Sequence, residues 1–451
     1  MKSPSRSAPE PPIIRPDAPQ SKTFPSAYNP PSRSPNGVTS LGEPYFQHSF
    51  GNGLTLLGEK MPGMQSAAMT LLLPAGSSTD PVDRLGAATV LSDLVLRGAG
   101  SRDSRQLTDY LDSLGLQRSS SVGIHHTRFT CAALSERVME GLPVYSDIVR
   151  RAHLPEPGFE SARDLALQAL AGIEDDPRQK LLIKLREWHF PSPFGRSSMG
   201  KKDNLEKLTI DLCKADYSRR YHGRESILAI AGNIDFERIK TEVEKSFGDW
   251  NGSPFQQLEV MPPPGNFHHE HQASEQTHIG IAYSSIPETD PDYYVVRLAI
   301  EVLSGGMSGR LFTEVREKRG LVYSVWAGYS SLKGQGSILG YAGTSNDRAQ
   351  ATLDCFIGEL HRFTEGVTPD ELDRAKTGLK ASTIMQGEST SARSGAIAHD
   401  YFMRGRIRTL DEIKREIDAV SLDRVNAFLK QHKPGPFTIV TVGPKELQLP
   451  K

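Results

Sequence analysis

Cysteine is scarce in this 451-residue chain: Cys131, Cys213 and Cys355 stand far apart and are odd in number. That excludes a disulfide framework and the paired spacing of a structural zinc site, and it leaves reduced thiols in a cytoplasmic protein as the expectation. Long apolar runs are missing too. The longest, AAMTLLLPA and SILAIAG, fall well short of the roughly 18 residues that a membrane helix needs. Neither sign of charge is in surplus, with 53 Lys and Arg against 54 Asp and Glu, so no global field draws nucleic acid or an anionic membrane. Three catalytic patterns are also absent: the G-x-x-x-x-G-K-[ST] phosphate loop, the G-x-S-x-G elbow and the H-E-x-x-H zinc helix. Residues 1–41 hold no apolar segment of the secretory kind, and their prolines break an amphipathic targeting helix. They are predicted to be a disordered Pro/Ser-rich tail.

From Leu41 onward, strand-like and helical runs alternate. Prolines and glycines mark a linker over 251–267 and divide the remainder into domains 42–250 and 268–451. The two parts repeat one plan. ATVLSDLVLRGAGSRDSRQLTDYLDSLG parallels VVRLAIEVLSGGMSGRLFTEVREKRG, and FESARDLALQALAG has its counterpart in ELDRAKTGLKASTI. Each part closes on a strand running into glycine, SILAIAGNID and PFTIVTVGPKE. Repeats of this length imply a duplicated domain rather than a solenoid. FGNGLTLLGEK followed by SAAMTLLLPAG reads as a hairpin-like opening with a turn at Asn52-Gly53, and VGIHHTRFTCAAL reads as the return strand. The predicted fold is α+β: two homologous α/β-sandwich domains, with mainly antiparallel sheets and helices packed on one side.

Candidate chemistry starts with LGAATVLSDLVLRGAG, residues 85–100. Leu85, Ala88, Leu91, Leu94 and Val95 follow helical spacing, which places Thr89, Ser92 and Asp93 together on the other face. Two hydroxyls and one carboxylate are a poor zinc set, and a hard cation such as Mg²⁺ or Ca²⁺ wants several more oxygens than Asp93 supplies. His268, His269, His271 and His278 cluster where the linker enters a strand, so alternate side chains face opposite ways. His125 and His126, read as strand neighbours, are likewise expected to diverge. SGGMSG, residues 304–309, lacks the lysine of a phosphate loop; a peptide-facing loop and a plain helix break are both open.

FGNGLTLLGEK, PAGSSTD, the helix at 85–96, GIEDDP, AGNIDFERIKTEVEKSFGDW, LSGGMSGRLFTEVREKRGLVYSVWAGYSSLKGQG and ESTSARSGAIAHDYFMRG together resemble the insulinase/pitrilysin-type metallopeptidases, nearest the mitochondrial-processing-peptidase-like branch. The resemblance runs from about Phe46 to Pro444. It implies that an inverted zinc helix, H-x-x-E-H, belongs where Thr89, Ser92 and Asp93 stand, with a glutamate ligand near Gln168 or Ala169. All four positions, Thr89, Ser92, Asp93 and Gln168, are therefore degenerate, and no metal is expected in this chain. The family's substrate-binding arginine and tyrosine match Arg316 and Tyr323 in VREKRGLVYSV, and Gly305, Gly306, Ser308 and Gly309 match a peptide-contacting loop. The resemblance thus implies a zinc-less, non-catalytic subunit that binds extended peptide and completes the active site of a zinc-bearing partner of the same family. The alternative it allows is a non-proteolytic scaffold or peptide-binding protein.

Overall fold

The computed structural model describes residues 39–40, 44–252 and 258–449. The predicted tail therefore lies outside the described residues except for Thr39–Ser40, as do residues 253–257 of the predicted linker. Fourteen strands are described. They are β1 Thr39–Ser40, β2 Tyr45–Ser49, β3 Thr55–Lys60, β4 Ser66–Leu73, β5 Gly98–Ala99, β6 Arg102–Asp103, β7 Gln117–Val122, β8 Thr127–Leu134, β9 Ile227–Gly232, β10 Phe267–His271, β11 Gln276–Ser285, β12 Ser324–Leu332, β13 Gln335–Ser345 and β14 Thr438–Gly443.

The first large sheet runs β1-β2-β3-β9-β4-β8-β7 and the second β10-β14-β11-β13-β12. With β1 and β2 set aside, the two orders are the same. β3 runs parallel to β9 and β10 parallel to β14, and every other pair is antiparallel. The duplication read from the sequence is thus a duplication of topology, and SILAIAG and TIVTVG occupy equivalent strands, β9 and β14. One pairing differs from the sequence expectation. Asn52-Gly53 turns β2 into β3, with Gly53 at φ +89°, whereas β3 and β4 are separated by β9. β9 returns from 172 residues downstream, measured between the paired residues Thr55 and Ile227, and inserts because its all-apolar run needs cover on both faces.

Helices that stay with their own sheet pack on one face, as predicted. On the first sheet, Met69, Leu71, Leu73, Phe129, Leu228 and Ile230 face the larger core. The alternate residues Leu57, Leu72, Ile227 and Ala229 point the other way. Those residues are covered by helix Thr390–Arg404, which belongs to the second half, through Ile397, Ala398 and Tyr401. The loan is reciprocal. Helix Pro177–His189 of the first half covers the second sheet, where Leu181 and Leu185 meet Ala282, Leu339, Val440 and Val442. The described residues of both halves belong to one compact unit. Full burial of Leu181, Leu185 and Ile397 contributes about 1.5–3 kcal/mol each.

Each exchanged helix starts on a local signal and carries a buried polar tie, at the last residue of the first helix and in the first turn of the second. Asp176 caps the first, accepting from Gln179 N–H at 2.9 Å ahead of Pro177, and Ser389 caps the second. At the far end of the first helix, the His189 ring bridges the hydroxyls of Thr438 (3.1 Å) and Ser337 (2.8 Å). In the second, Arg393 Nε donates to both carboxylate oxygens of Glu59 on β3, at 3.0 and 2.9 Å.

Candidate functional site

Helix Ala87–Leu94 buries Ala87, Val90, Leu91 and Leu94 in the first core. Its amino end is held from outside the helix. The buried Asp80 carboxylate accepts from Gly86 N–H at 2.8 Å and Ala88 N–H at 3.0 Å, and it pairs with Arg220 at 2.6 Å. Burial pushes Asp80 above the usual carboxylate range, against the pull of Arg220 and the two amides.

The polar face of this helix is occupied with its own structure. Thr89 Oγ1 donates to the Ser198 carbonyl at 2.5 Å, and Ser92 Oγ donates to the Thr89 carbonyl at 2.8 Å. Asp93 pairs with Arg97 at 2.6 Å. Gln168 is exposed on helix Glu156–Gly172, which packs against helix Ala87–Leu94. Both hydroxyl protons are committed to carbonyls, the one carboxylate has a guanidinium, and the fourth group is a neutral amide. This set does not fit zinc, which takes imidazole, thiolate or free carboxylate ligands. Among the described residues no group of three or more His, Cys, Asp or Glu side chains is arranged to hold a metal ion.

The histidines have other partners. His268 stacks on Trp188 at 4.7 Å and meets Glu270 at 3.3 Å, His269 bonds the Thr441 hydroxyl at 2.9 Å, and His278 bonds the Tyr341 hydroxyl at 2.9 Å. His271, the last residue of β10, is exposed. His125 and His126 do not diverge along a strand. They sit in the turn between β7 and β8, closed by Gly123 N–H donating to the His126 carbonyl at 2.8 Å, and both rings pack on Phe402 of the second half, at 5.2 and 4.3 Å. A turn frees the two side chains from alternation, so they share one neighbour.

In the second half, Arg316 projects from a six-residue π-helical turn, Phe312–Glu317, a geometry frequent at functional sites. It is exposed and lies over the Phe312 ring at 4.9 Å. Its acidic neighbour Glu314 is taken by Lys318 (2.6 Å) and Arg319 (3.1 Å), so among the described residues Arg316 has no ion pair. Tyr323 stands one residue before β12. Its N–H continues the ladder by donating to Gly343 O at 2.9 Å, while its side chain is 62% exposed. The glycine loop follows helix Tyr293–Ser304: Gly305, Gly306 and Ser308 are exposed, Gly306 has φ +100°, and Gly309 is buried. At the root of this loop, the Ser304 hydroxyl accepts from Ala327 N–H of β12 at 2.9 Å, which ties loop and strand together.

Among the described residues β7 and β12 are the equivalent edge strands of the two sheets, the Ala327 N–H of β12 being already taken by Ser304. Helix Ala87–Leu94 lies against β7 and helix Tyr293–Ser304 against β12. The β7 sequence QRSSSV is polar and largely exposed, so its outward backbone groups are open to pairing with an added extended chain. The structure therefore brings Arg316, Tyr323 and the glycine loop into one region around the β12 edge. It keeps the degenerate helix, with Gln168 beside it, in the other half.

Comparison with known proteins gives a consistent picture. Residues 55–200 match the family described as insulinase (peptidase family M16), and residues 207–379 match the peptidase M16 inactive domain. An uncharacterized zinc protease of Rickettsia felis is 25% identical over 399 residues, 88% of this chain and 97% of that protein. One from Bacillus subtilis is 25% identical over 401 residues, 87% and 97%. Among solved structures, a peptidase M16 inactive domain from Pseudomonas fluorescens superposes with a TM-score of 0.79 at 22% identity, covering 90% of this chain and 100% of that one. A protease from Helicobacter pylori gives 0.80 at 18%, covering 89% and 99%. A chain of complex III2 from Candida albicans gives 0.74 at 17%, covering 88% and 95%. No helix among the described residues is long and apolar enough to cross a membrane.

Proposed function

The chain belongs to the insulinase (M16) peptidase family, and from that premise we propose that it is a zinc-less subunit which binds extended peptide and completes the active site of a zinc-bearing partner. The observation that carries this reading is an asymmetry between the halves. The helix that would hold metal has its polar groups spent on internal bonds, whereas Arg316 and Tyr323 stand exposed ahead of the edge strand β12. A peptide laid along such an edge gains main-chain hydrogen bonds with little sequence preference. The guanidinium of Arg316 and the phenol of Tyr323 are donors for a peptide carbonyl or for the oxyanion that develops on it. Zinc, supplied by the partner, would activate water; this chain would position substrate. Its three free cysteines fit a reducing compartment, the cytoplasm.

Native purification with mass spectrometry tests the partner, and peptidase kinetics test the residues. A stoichiometric relative carrying H-x-x-E-H is expected, and Arg316→Ala in the reconstituted complex is expected to lower kcat/KM by about 10²-fold or more. An unchanged rate would defeat the residue assignment. Recovery of the chain alone, or with non-peptidase proteins only, would favour the second reading, a non-proteolytic scaffold. The likeness to a chain of complex III2 is the observation that supports that alternative.

A further inference from the structure

Between helix Glu156–Gly172 and helix Pro177–His189 the fold leaves a half-open cavity of about 960 Å³, bounded also by the 190–202 segment. Val82, Leu85, Leu170, Ile173, Ile183 and Phe190 make its walls apolar. The volume lies near the top of the roughly 300–1,000 Å³ range of pockets that take small organic ligands. Val82 and Met261, which also line it, are 71% and 48% exposed, so apolar surface is left uncovered where the cavity meets solvent.

The polar side of the cavity is unbalanced. Five cations line it against three carboxylates. Lys180 pairs with Glu174 and Glu270, Lys184 with Glu187, and Lys202 with Glu206. Arg196 and Lys201 have no carboxylate partner among the described residues. Arg196 donates to the Asp80 backbone carbonyl at 2.9 Å, and burial lowers its pKa, although Asp80 pulls the other way. A desolvated cation facing an apolar space is short of an anion. No strand of either sheet lines the cavity, so an extended peptide would enter with its main-chain groups unpaired. A compact amphiphile meets no such penalty.

We propose that this cavity binds an amphiphilic carboxylate of the fatty-acid class, with its chain between the two helices and its head group against Arg196 and Lys201. The proposal goes beyond the peptidase-subunit reading and does not depend on it. Gln168 lines the same cavity, so a bound acid sits beside the helix that packs on the degenerate helix Ala87–Leu94.

The test uses the full chain after delipidation, titrated with the fluorescent fatty acid cis-parinarate and then competed with palmitate or its methyl ester. Saturable binding is expected, with palmitate at least tenfold more effective than the ester. Ile183→Trp, which narrows the cavity between the two helices, should weaken binding several-fold while leaving the circular dichroism spectrum unchanged. Lys201→Gln should shrink the preference for acid over ester several-fold; Lys201 is exposed, so this variant reports on the head group even where Arg196→Gln disturbs the Asp80 loop. No saturable binding, an affinity unchanged by Ile183→Trp, or equal competition by acid and ester would each overturn the proposal.

Discussion

Replacing Arg393 with Met probes the exchange of helices between the halves directly. Arg393 and Glu59 are 4% and 5% exposed, and a single guanidinium nitrogen, Nε, lies at 3.0 and 2.9 Å from the two carboxylate oxygens. Met keeps much of the apolar volume but leaves a carboxylate buried without its cation, a loss that costs about 3–5 kcal/mol. Burial already outweighs the attraction of Arg393 and holds Glu59 above the usual carboxylate range. Without the arginine its pKa rises further and the side chain takes up a proton. A folded-state pKa above the unfolded one means that the deficit is largest at high pH and shrinks as pH falls through the raised value toward that of the unfolded chain. Urea unfolding followed by circular dichroism should therefore show the variant about 3–5 kcal/mol less stable at pH 8 and measurably closer to the parent at pH 5. The double variant Glu59→Gln/Arg393→Met should recover most of the loss, because uncharged groups of similar size pay no ionic desolvation. A deficit under about 0.5 kcal/mol at pH 8, the scale of an ordinary surface change, would refute the reasoning. So would a deficit independent of pH, or a double variant that simply adds the two single losses.

Two further outcomes follow from buried titratable groups. Burial, then Lys333, lowers His125 to about 4; burial, then His125, Lys333 and His399, lowers His126 to about 3. Their contribution to stability is complete above the unfolded value of about 6.5 and is lost as pH falls from there toward the folded values, at up to about 1.4 kcal/mol per pH unit for each group. His125→Asn/His126→Asn should flatten the acid limb of urea midpoints measured between pH 7.5 and 4.5, and an identical slope would rule the pair out. Burial pushes Cys131 and Cys213 up to about 12, so the native chain should react with a thiol reagent first at the half-buried Cys355. Equal labelling of all three before unfolding would contradict the packing.

The parts of the fold set by local pattern were legible in the sequence. The apolar run of β9 and the β-branched run of β14 mark buried strands, and Asp176-Pro177 and Ser389 mark the starts of the helices that cover them. The identity of each cover was not legible, because a helix that packs on the opposite half carries the same apolar spacing as one that packs at home. His125 and His126 were misplaced on a strand because strand-like residues flank them on both sides; Gly123 and the change of phase from Val122 and Ile124 to Phe129 and Cys131 were the available turn signals. The poor zinc chemistry of Thr89, Ser92 and Asp93 could be read directly from residue type. That the Thr89 proton goes to Ser198, 109 residues away, could not, since a backbone carbonyl brought in by tertiary packing leaves no trace in composition.

The reciprocal loan of helices also decides how the molecule can come apart. A cut within the connector before β10 would sever the backbone, yet each fragment would still grip the other's sheet through the helix it lends. Either fragment made by itself would present one sheet with its apolar face bare and one helix with nothing to cover. The halves are thus a complementing pair, each sheet closed by a helix of the other.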